Sequence, residues 1–467
     1  MSTTLPRAAE HAGGAGRGAT VAIAVSVGGL LVLAYLGGIL AGRSGLFPAG
    51  QIAAAAEVVQ DWRENWRHYL GIRSKFTAAT DRPAGLLVHD AARVAPGYTF
   101  VVGYRDGSFH PFLLDPAGEV VHEWRASFNE AFPQAAHVPQ APPDWDVSLH
   151  GAALLADGSV VLNFEGLGTV KLDRCSQILW RLPTQSHHAL DLLPDGGVLV
   201  TSRRHLTEGR PGLPGVEPGD RGWLWEDTIV HADASGHILS ERSVLQILLD
   251  SGLAGLLYAN GLDDASLRHT DDPLHLNDIE ALRPELATAF PQFAAGDIMI
   301  SLRNLDTIAV LDRETLRVKW SMTGPFLRQH DPDFLPNGHI LLFDNRKGGA
   351  GRKFGQSRVL EIDPRSRSVV WSFAGSPEQP FYTDARGKVE ALPNGNVLVT
   401  EAQAGRVFEL ARTPQGGTVV AEWVNGVGDG LAGYVTQADR IPPDRVGFLG
   451  AACPAAASDD APPPGPG

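Results

Sequence analysis

Short apolar runs that end in turn-forming residues repeat along most of this chain. One kind of hairpin has an Asp-led turn and often ends in Trp, as in LLDPAGEVVHEW, KLDRCSQILW, VLDRETLRVKW and EIDPRSRSVVW. A second kind turns on a Leu-Pro-Asn-Gly-like sequence, as in LLPDGGVLVTS, FLPNGHILLF and ALPNGNVLVT. Apolar, β-rich runs bounded by Pro, Asn, Asp and Gly are typical of antiparallel strands. The chain is therefore predicted to be all-β.

The two kinds of hairpin alternate along the chain. Six outer hairpins and five or six inner ones make six four-stranded units, each of ~50 residues. A sheet of that size cannot bury its faces alone, so such units stack around an axis. We therefore predict a six-bladed β-propeller over residues 85–450.

Two inserts interrupt the repeat. Arg203–Glu226 is rich in Gly and Pro and is predicted to be a loop, and Val244–Leu274 is predicted to be partly helical. Long inserts in a compact fold are often lids or binding loops.

The N-terminal region has no charged residue from Gly18 to Gly42. An uncharged apolar run of this length predicts a transmembrane helix, placed at 19–42; a cleaved signal is the alternative. Arg7 and Arg17 precede the run and Arg43 follows it. This asymmetry predicts a single-pass anchor with the body on the periplasmic or extracellular side.

The remaining segments carry weaker patterns. Residues 1–18 are predicted to be disordered, 43–84 to form a juxtamembrane helical segment, and 451–467 to be a disordered tail.

Composition narrows the classes of function. The formal net charge of −14 leaves no global attraction to nucleic acid. There are two cysteines, Cys175 in a turn and Cys453 in the tail, and no metal-ligand spacing. We therefore expect neither a zinc site nor a disulfide scaffold, and no cofactor.

Candidate chemistry emerges when the inner hairpins are aligned on their turns. Five positions before the leading residue of the turn stand His150, His188, Asn277 and His330. His275 lies two residues before Asn277, on the same strand face. Seven residues after the turn's glycine stand Arg203, Arg303 and Asn345. Innermost strands of a propeller converge on its axis, so these side chains are expected to face one cavity.

Arg303 limits what this cavity can hold. A buried guanidinium needs an anionic partner, which here is either Asp331 or Asp333 or a bound oxyanion. Its two parallel donors suit a planar or tetrahedral oxyanion. The alternative for each histidine is a structural hydrogen bond to a neighbouring sheet.

Three segments carry a resemblance to a known family. RQHDPDFLPNGHILLFDN, HLNDIEAL with the following ISLRN, and FYTDARGKVEALPNGNVLVTEAQAGRVFEL closely resemble bacterial arylsulfotransferases that do not use a nucleotide sulfate donor. The resemblance extends over residues 85–430. It implies an exported six-bladed propeller that moves a sulfuryl group from a phenolic sulfate ester to a phenol.

The resemblance also implies roles for individual residues. His330 matches the histidine that is transiently sulfated, and Arg303 matches the sulfate-binding arginine. His275 and Asn277 match supporting residues, and His188 best matches a further active-site histidine. Either His188 or His275 is expected to be the general acid and base. The paired cysteines of some members are absent, so no loop disulfide is expected.

Two other classes of function remain as alternatives. The first is a non-catalytic propeller that binds a ligand or protein at the membrane surface. The second is a propeller hydrolase or quinone-dependent dehydrogenase, although calcium-binding propellers would need clustered carboxylates in the inner register.

Overall fold

The computed structural model describes residues 74–218, 222–259, 271–348 and 353–453, together with short stretches and single residues between 26 and 70. The chain divides into two compact units, Met1–Ile72 and Arg73–Gly467. In the first unit, residues 29–38 are helical and their large apolar side chains are exposed.

The predicted membrane anchor is not supported. Within the part of the chain that the structure describes, no helix is both long and apolar enough to cross a membrane. Of the predicted span 19–42, only residues 26–27 and 29–38 are described. The predicted disordered segment 1–18, most of the juxtamembrane segment 43–84 and residues 454–467 of the tail lie outside the described residues.

The second unit is built from antiparallel sheets. Among the described residues, six sheets of four or five strands form its body. From the innermost strand outward, the first contains β28 (Val435–Ile441), β3 (Tyr98–Arg105), β4 (Ser108–Leu114) and β5 (Val120–Glu123). The second contains β6 (Leu149–Leu154), β7 (Val160–Phe164), β8 (Gly168–Leu172) and β9 (Ile178–Leu182). The third contains β10 (Gln185–Leu192), β11 (Val198–Leu206), β12 (Leu224–Ala232) and β13 (Ile238–Ser243).

The other three sheets repeat this arrangement. The fourth contains β14 (Leu276–Ala281), β15 (Ile298–Leu302), β16 (Thr307–Leu311) and β17 (Val318–Thr323). The fifth contains β18 (His330–Phe334), β19 (Ile340–Asp344), β20 (Arg358–Asp363) and β21 (Ser368–Ala374). The sixth contains β22 (Lys388–Ala391), β23 (Val397–Glu401), β24 (Arg406–Thr413), β25 (Gly416–Val424) and β2 (Gly85–His89).

Smaller elements complete the unit. A three-stranded sheet contains β1 (Thr77–Ala79), β27 (Leu431–Gly433) and β26 (Gly426–Gly428). The described helices of this unit, apart from short 3-10 turns, are α1 (Phe128–Ala131), α2 (Val244–Asp250) and α3 (Gly255–Ala259).

The six innermost strands form a cycle. β6, β10, β14, β18, β22 and β28 contact one another in that order, and β28 contacts β6. The two ends of the repeating region share sheets with each other: the C-terminal strand β28 pairs with β3, and the N-terminal strand β2 pairs with β25. This order is typical of a β-propeller. The all-β class and the alternating hairpins predicted from the sequence are confirmed.

The repeated tryptophans link neighbouring sheets. Each indole Nε1 donates to a carbonyl in the next sheet, at 2.9–3.1 Å: Trp124 to Gly158, Trp180 to Ala234, Trp320 to Pro364 and Trp371 to Thr413. Tryptophan suits this position because a large apolar body packs between sheets while its N–H still finds a partner. The sequence repeat therefore has a packing cause.

The two inserts differ from each other. Arg203–Glu226 is not a loop throughout, because residues 203–206 of β11 pair with 224–227 of β12 and prolong that hairpin. Val244–Leu274 contains α2 and α3, as predicted, and residues 260–270 lie outside the described residues.

The cysteine prediction is wrong. Cys175 and Cys453 form a disulfide, with their Cα atoms 5.6 Å apart. The C-terminal segment packs where the first and second sheets meet. Phe448 lies 6.0 Å from the Trp124 ring, measured between centroids, and beside Gly158 of the second sheet. Arg174 also donates to two carbonyls just before Cys453. The two cysteines are 278 residues apart, and spacing alone does not reveal such a long-range pairing.

We expect Cys453→Ser to lower the free energy of unfolding by about 2–4 kcal/mol, because the unfolded chain gains conformational entropy when this long loop is no longer closed by a disulfide. Urea unfolding with and without reductant measures this. Reductant should lower the stability of the wild type to that of the variant and leave the variant unchanged. Equal stability of the variant and the oxidised wild type would contradict this role.

Candidate active site

Four sheets deliver imidazole rings to one end of the inner strands. His150 lies on β6, His188 on β10, His275 directly before β14, and His330 begins β18. Ring centroids lie 4.6 Å apart for His150 and His188, 4.7 Å for His188 and His275, and 6.2 Å for His188 and His330. His188, His275 and His330, predicted from the sequence, are therefore brought together.

Irregular backbone sets the direction of these rings. β10 pairs with β11 through a bulge between Ser186 and Leu190, where His188 has a φ of 53°. His275 has a φ of 55°. On β6 the bulge is at Gly151, with a φ of 87°, where a Cβ would lie 2.1 Å from the His188 carbonyl oxygen. Left-handed conformations of non-glycine residues cost free energy and tend to cluster at functional sites.

The hydrogen bonds of His330 define its tautomer. Asn345 Nδ2 donates to the carbonyl oxygens of Thr383 and Arg386 at 3.1 and 2.8 Å, so its Oδ1 is left to accept. That oxygen lies 2.7 Å from His330 Nδ1, which must therefore carry the proton. The Arg386 N–H lies 3.1 Å from Nε2 and donates to it. Nε2 thus holds a lone pair.

The His330 ring is also kept neutral. Burial, together with the positive charge of Arg303, holds the pKa of His330 well below its usual value. A neutral imidazole with an unprotonated Nε2 is the nucleophilic form. The main-chain N–H of Arg303 donates to the His275 carbonyl oxygen at 3.1 Å, so Arg303 adjoins the histidine cluster.

A chain of imidazoles ends in a carboxylate. Burial opposes ionisation of Asp272, but His275 and Arg303 lower its pKa to about 2, so the ionised carboxylate accepts a hydrogen bond from the His275 Nδ1–H. His275 Nε2 is then an acceptor, 3.2 Å from His188 Nε2. His188 Nδ1 in turn lies 2.7 Å from His187 Nδ1. A proton can move along this chain.

Glu165 lies beneath two of the rings. Its Oε2 lies 3.0 Å from His150 Nδ1, and its Oε1 lies 3.3 Å from His188 Nδ1. The ligand atoms of His150, Glu165 and His188 are close enough to one another to bind a single metal ion. A second such group consists of Asp106, His110 and Glu123. In that group Arg125 contacts all three side chains, which opposes a cation.

Arg303 is half-buried rather than fully buried. Its Nε and Nη2 donate to Asn304 Oδ1 at 3.2 and 3.1 Å, and Arg328 donates to the same oxygen. Among the described residues, neither guanidinium forms an ion pair with a carboxylate. Burial lowers the pKa of Arg303 to about 10. The ionised Asp272 carboxylate acts on Arg303 electrostatically without forming an ion pair, so the two guanidinium groups keep donors for a bound anion.

Asp331 and Asn277, two neighbouring polar side chains, have hydrogen-bond partners of their own. Asp331 binds Lys388 and accepts from the Val389 N–H at 2.7 Å, so it serves neither Arg303 nor His330. Asn277 Nδ2 donates to the Gln329 carbonyl at 2.7 Å, while its buried Oδ1 has no partner. Asn277 therefore presents an acceptor rather than a donor.

A small cavity lies directly below the histidines. Its volume is about 30 Å³. Its lining includes His150, His188, Asn277, Asp278, His330 and Lys388. Burial and nearby acids raise the pKa values of Asp278 and Asp333 well above their usual range. A cavity of this size holds about two waters and is too small for an aromatic ring.

Sequence reasoning missed several members of this cluster. His187, Glu165, Asp272 and Arg386 stand outside the shared hairpin phase. Only the His187-His188 doublet gave a signal. Glu165 and Arg386 act through contacts between sheets, and Asp272 binds His275 from the segment just before β14; the alternation of a single strand encodes neither kind of contact.

Comparison with known proteins gives distant similarities to solved structures and one family match. No curated protein matches the chain. A protein of unknown function from Bacteroides caccae is 12% identical, with a TM-score of 0.44, and covers 74% of this chain and 98% of its own. The WD40 β-propeller domain of Doa1 is 12% identical, with a TM-score of 0.38, over 79% and 97%. Virginiamycin B lyase from Staphylococcus aureus is 10% identical, with a TM-score of 0.34, over 59% and 70%.

The family is shown by sequence. The model of the arylsulfotransferase (ASST) family matches residues 151–425, which is more than half of the chain. This range contains most of the inner hairpins with the shared phase and four of the five clustered histidines, the exception being His150, which lies one residue before it. The chain belongs to the arylsulfotransferase family.

Proposed function

We propose that this protein moves a sulfuryl group from a phenolic sulfate ester to a phenol in two steps, through a sulfohistidine at His330. No nucleotide donor is required. The observation that carries the proposal is the neutral His330 with its Nε2 lone pair, close to an arginine without a carboxylate partner. The six sheets are the blades of a six-bladed propeller that holds these groups on its axis.

In the first step the lone pair on His330 Nε2 attacks sulfur. An N–S bond forms, the S–O bond to the aryl group breaks, and the phenolate leaves with the electron pair. The Arg386 N–H that binds Nε2 then donates to a sulfuryl oxygen. Arg303 and Arg328 stabilise charge on the other sulfuryl oxygens, as donors do in phosphoryl transfer.

Proton transfer falls to His188. It lines the cavity with His330, whereas His275 lies behind it and is held by Asp272. Burial and the neighbouring imidazoles hold the pKa of His188 well below its usual value, so we assign its neutral ring as the base and His275 as the residue that orients it. The phenolate of the first step leaves as the anion and is protonated by water. In the second step the acceptor phenol gives its proton to His188, its oxygen attacks sulfur, and the S–N bond breaks; His188 then releases the proton to water.

Arg303 argues against a purely structural role for the cluster. A silent propeller would neutralise this arginine internally, whereas its hydrogen bonds go to the Asn304 amide oxygen. The Cys175–Cys453 disulfide supports a location outside the cytoplasm, because such bonds persist in oxidising compartments.

His330→Ala is expected to lower the rate of sulfuryl transfer by about 10⁴-fold or more, because the nucleophile is lost. The assay follows nitrophenol release from 4-nitrophenyl sulfate with and without phenol. The matched control is His237→Ala, whose side chain is 82% exposed on an outer turn. Phenol-dependent release at the normal rate in His330→Ala would remove this assignment, and release without phenol would indicate a sulfatase.

Arg303→Lys is expected to lower kcat by about 100-fold or more while the protein stays folded, since a point charge cannot replace the planar fork. Circular dichroism checks the fold. An exposed arginine, Arg313→Lys, is the control. Rates for Arg303→Lys within a few-fold of the wild type would show that this guanidinium does not bind the sulfuryl group.

The pH profile follows from the lowered pKa of His330. Activity needs the unprotonated ring, and a lowered pKa keeps it unprotonated below the usual histidine value of about 6.5. The acid limb of kcat/KM should therefore have its midpoint below pH 6.5. An acid limb centred at or above that pH would contradict a buried, neutral nucleophile.

A further inference from the structure

The prolonged hairpin of the third sheet carries a stack of aromatic and cationic side chains. Residues 203–206 of β11 pair with 224–227 of β12 and extend that hairpin at the end where β10 begins. Cζ of Arg203 lies 3.9 Å from the centroid of the Trp225 ring. His205 stacks on Trp223 at 4.1 Å and lies 4.5 Å from Trp225. We call these four side chains the aromatic stack.

Arg203 is the unusual member of the stack. Its buried Nε has no hydrogen-bond partner, and no carboxylate among the described residues forms an ion pair with it. Arg204, the next residue, faces the other side of the strand and pairs with Glu226 and Glu241. Carboxylates are thus available along this hairpin, yet Arg203 is left without one.

The stack adjoins the histidine cluster on two sides. A Cβ on Gly166 would lie 2.8 Å from Arg203 Nη2, and Gly166 directly follows Glu165, which contacts two of the clustered rings. On the other side, the Trp225 N–H donates to the Asp271 carbonyl at 2.7 Å. The next residue, Asp272, binds His275.

The size of the cavity requires a separate place for the aromatic ring. About 30 Å³ among the histidines cannot hold an aryl group, so the ring of the substrate lies outside that cavity. The aromatic stack next to the cluster has two half-buried tryptophans, Trp223 and Trp225, and Arg203 adds a positive charge that pairs with no described carboxylate. Guanidinium groups bind carboxylates and sulfates through paired donors.

We propose that the aromatic stack is a subsite for aryl compounds that carry a second anionic group, with Trp225 contacting the ring and Arg203 binding that group. The effect of this subsite on turnover rests on the proposed sulfuryl transfer, whereas its binding of anionic aryl compounds does not. The favoured acceptors are phenols that bear a carboxylate or a second sulfate. Neutral phenols of the same shape are poorer acceptors.

Turnover tests this preference with a matched pair of acceptors. With 4-nitrophenyl sulfate as donor, kcat/KM is measured for 4-hydroxybenzoate and for the neutral 4-hydroxybenzamide. Arg203→Met keeps the stem and removes the charge. It should lower kcat/KM for the benzoate by about tenfold to hundredfold and change that for the benzamide by only a few-fold. Arg204→Met is the control and should keep the wild-type ratio.

Binding tests the subsite without turnover. Benzoate and benzamide, which cannot accept a sulfuryl group, are titrated against the tryptophan fluorescence of the full chain. The wild type should bind benzoate more tightly than benzamide, and Arg203→Met should lose that difference. Arg203→Lys should retain part of it, because the charge remains and the planar contact does not.

The outcomes separate the two proposals. Charge-dependent binding of benzoate without transfer to any acceptor would support the subsite and overturn the sulfuryl transfer. Transfer with equal kcat/KM for both acceptors, or with a preference that survives in Arg203→Met, would overturn the subsite and leave the transfer intact. Circular dichroism of each variant ensures that a lost preference is not a lost fold.

Discussion

The pair of hydrogen bonds that hold the His330 ring is the interaction on which this site depends. Asn345 accepts from Nδ1, and the main chain of Arg386 donates to Nε2. Because the Asn345 amide N–H groups are already bound to two carbonyls, the ring has one stable neutral form. The fold thereby fixes which nitrogen carries the lone pair before any substrate arrives.

That arrangement requires the sheets to keep their positions. His330 begins β18 and Asn345 follows β19, both strands of the fifth sheet, whereas Arg386 precedes β22 of the sixth, so the hydrogen bond to Nε2 crosses from one sheet to the next. The cycle of innermost strands and the tryptophans that bind neighbouring sheets resist any relative movement. Strained backbone at His188 and His275 is tolerated for the same reason. Architecture and chemistry are coupled through inter-sheet contacts.

The sequence predicted what local rules determine. Turn residues and period-2 alternation located the hairpins, and their shared phase selected His188 and His330. His187 and Asp272 were missed because bulges and inter-segment contacts, rather than alternation, bring them into the cluster. The Cys175–Cys453 bond was missed because its partners are adjacent only after the C-terminal segment docks on the second sheet.

Trapping the sulfohistidine intermediate tests the role of His330 most directly. The wild type is treated with 4-nitrophenyl sulfate without acceptor, digested under mildly alkaline conditions, and its peptides are examined by mass spectrometry. We expect one sulfuryl group on His330, and this adduct should disappear when phenol is added. A sulfuryl group on another residue, or turnover with no adduct on His330 under any quench, would contradict this role.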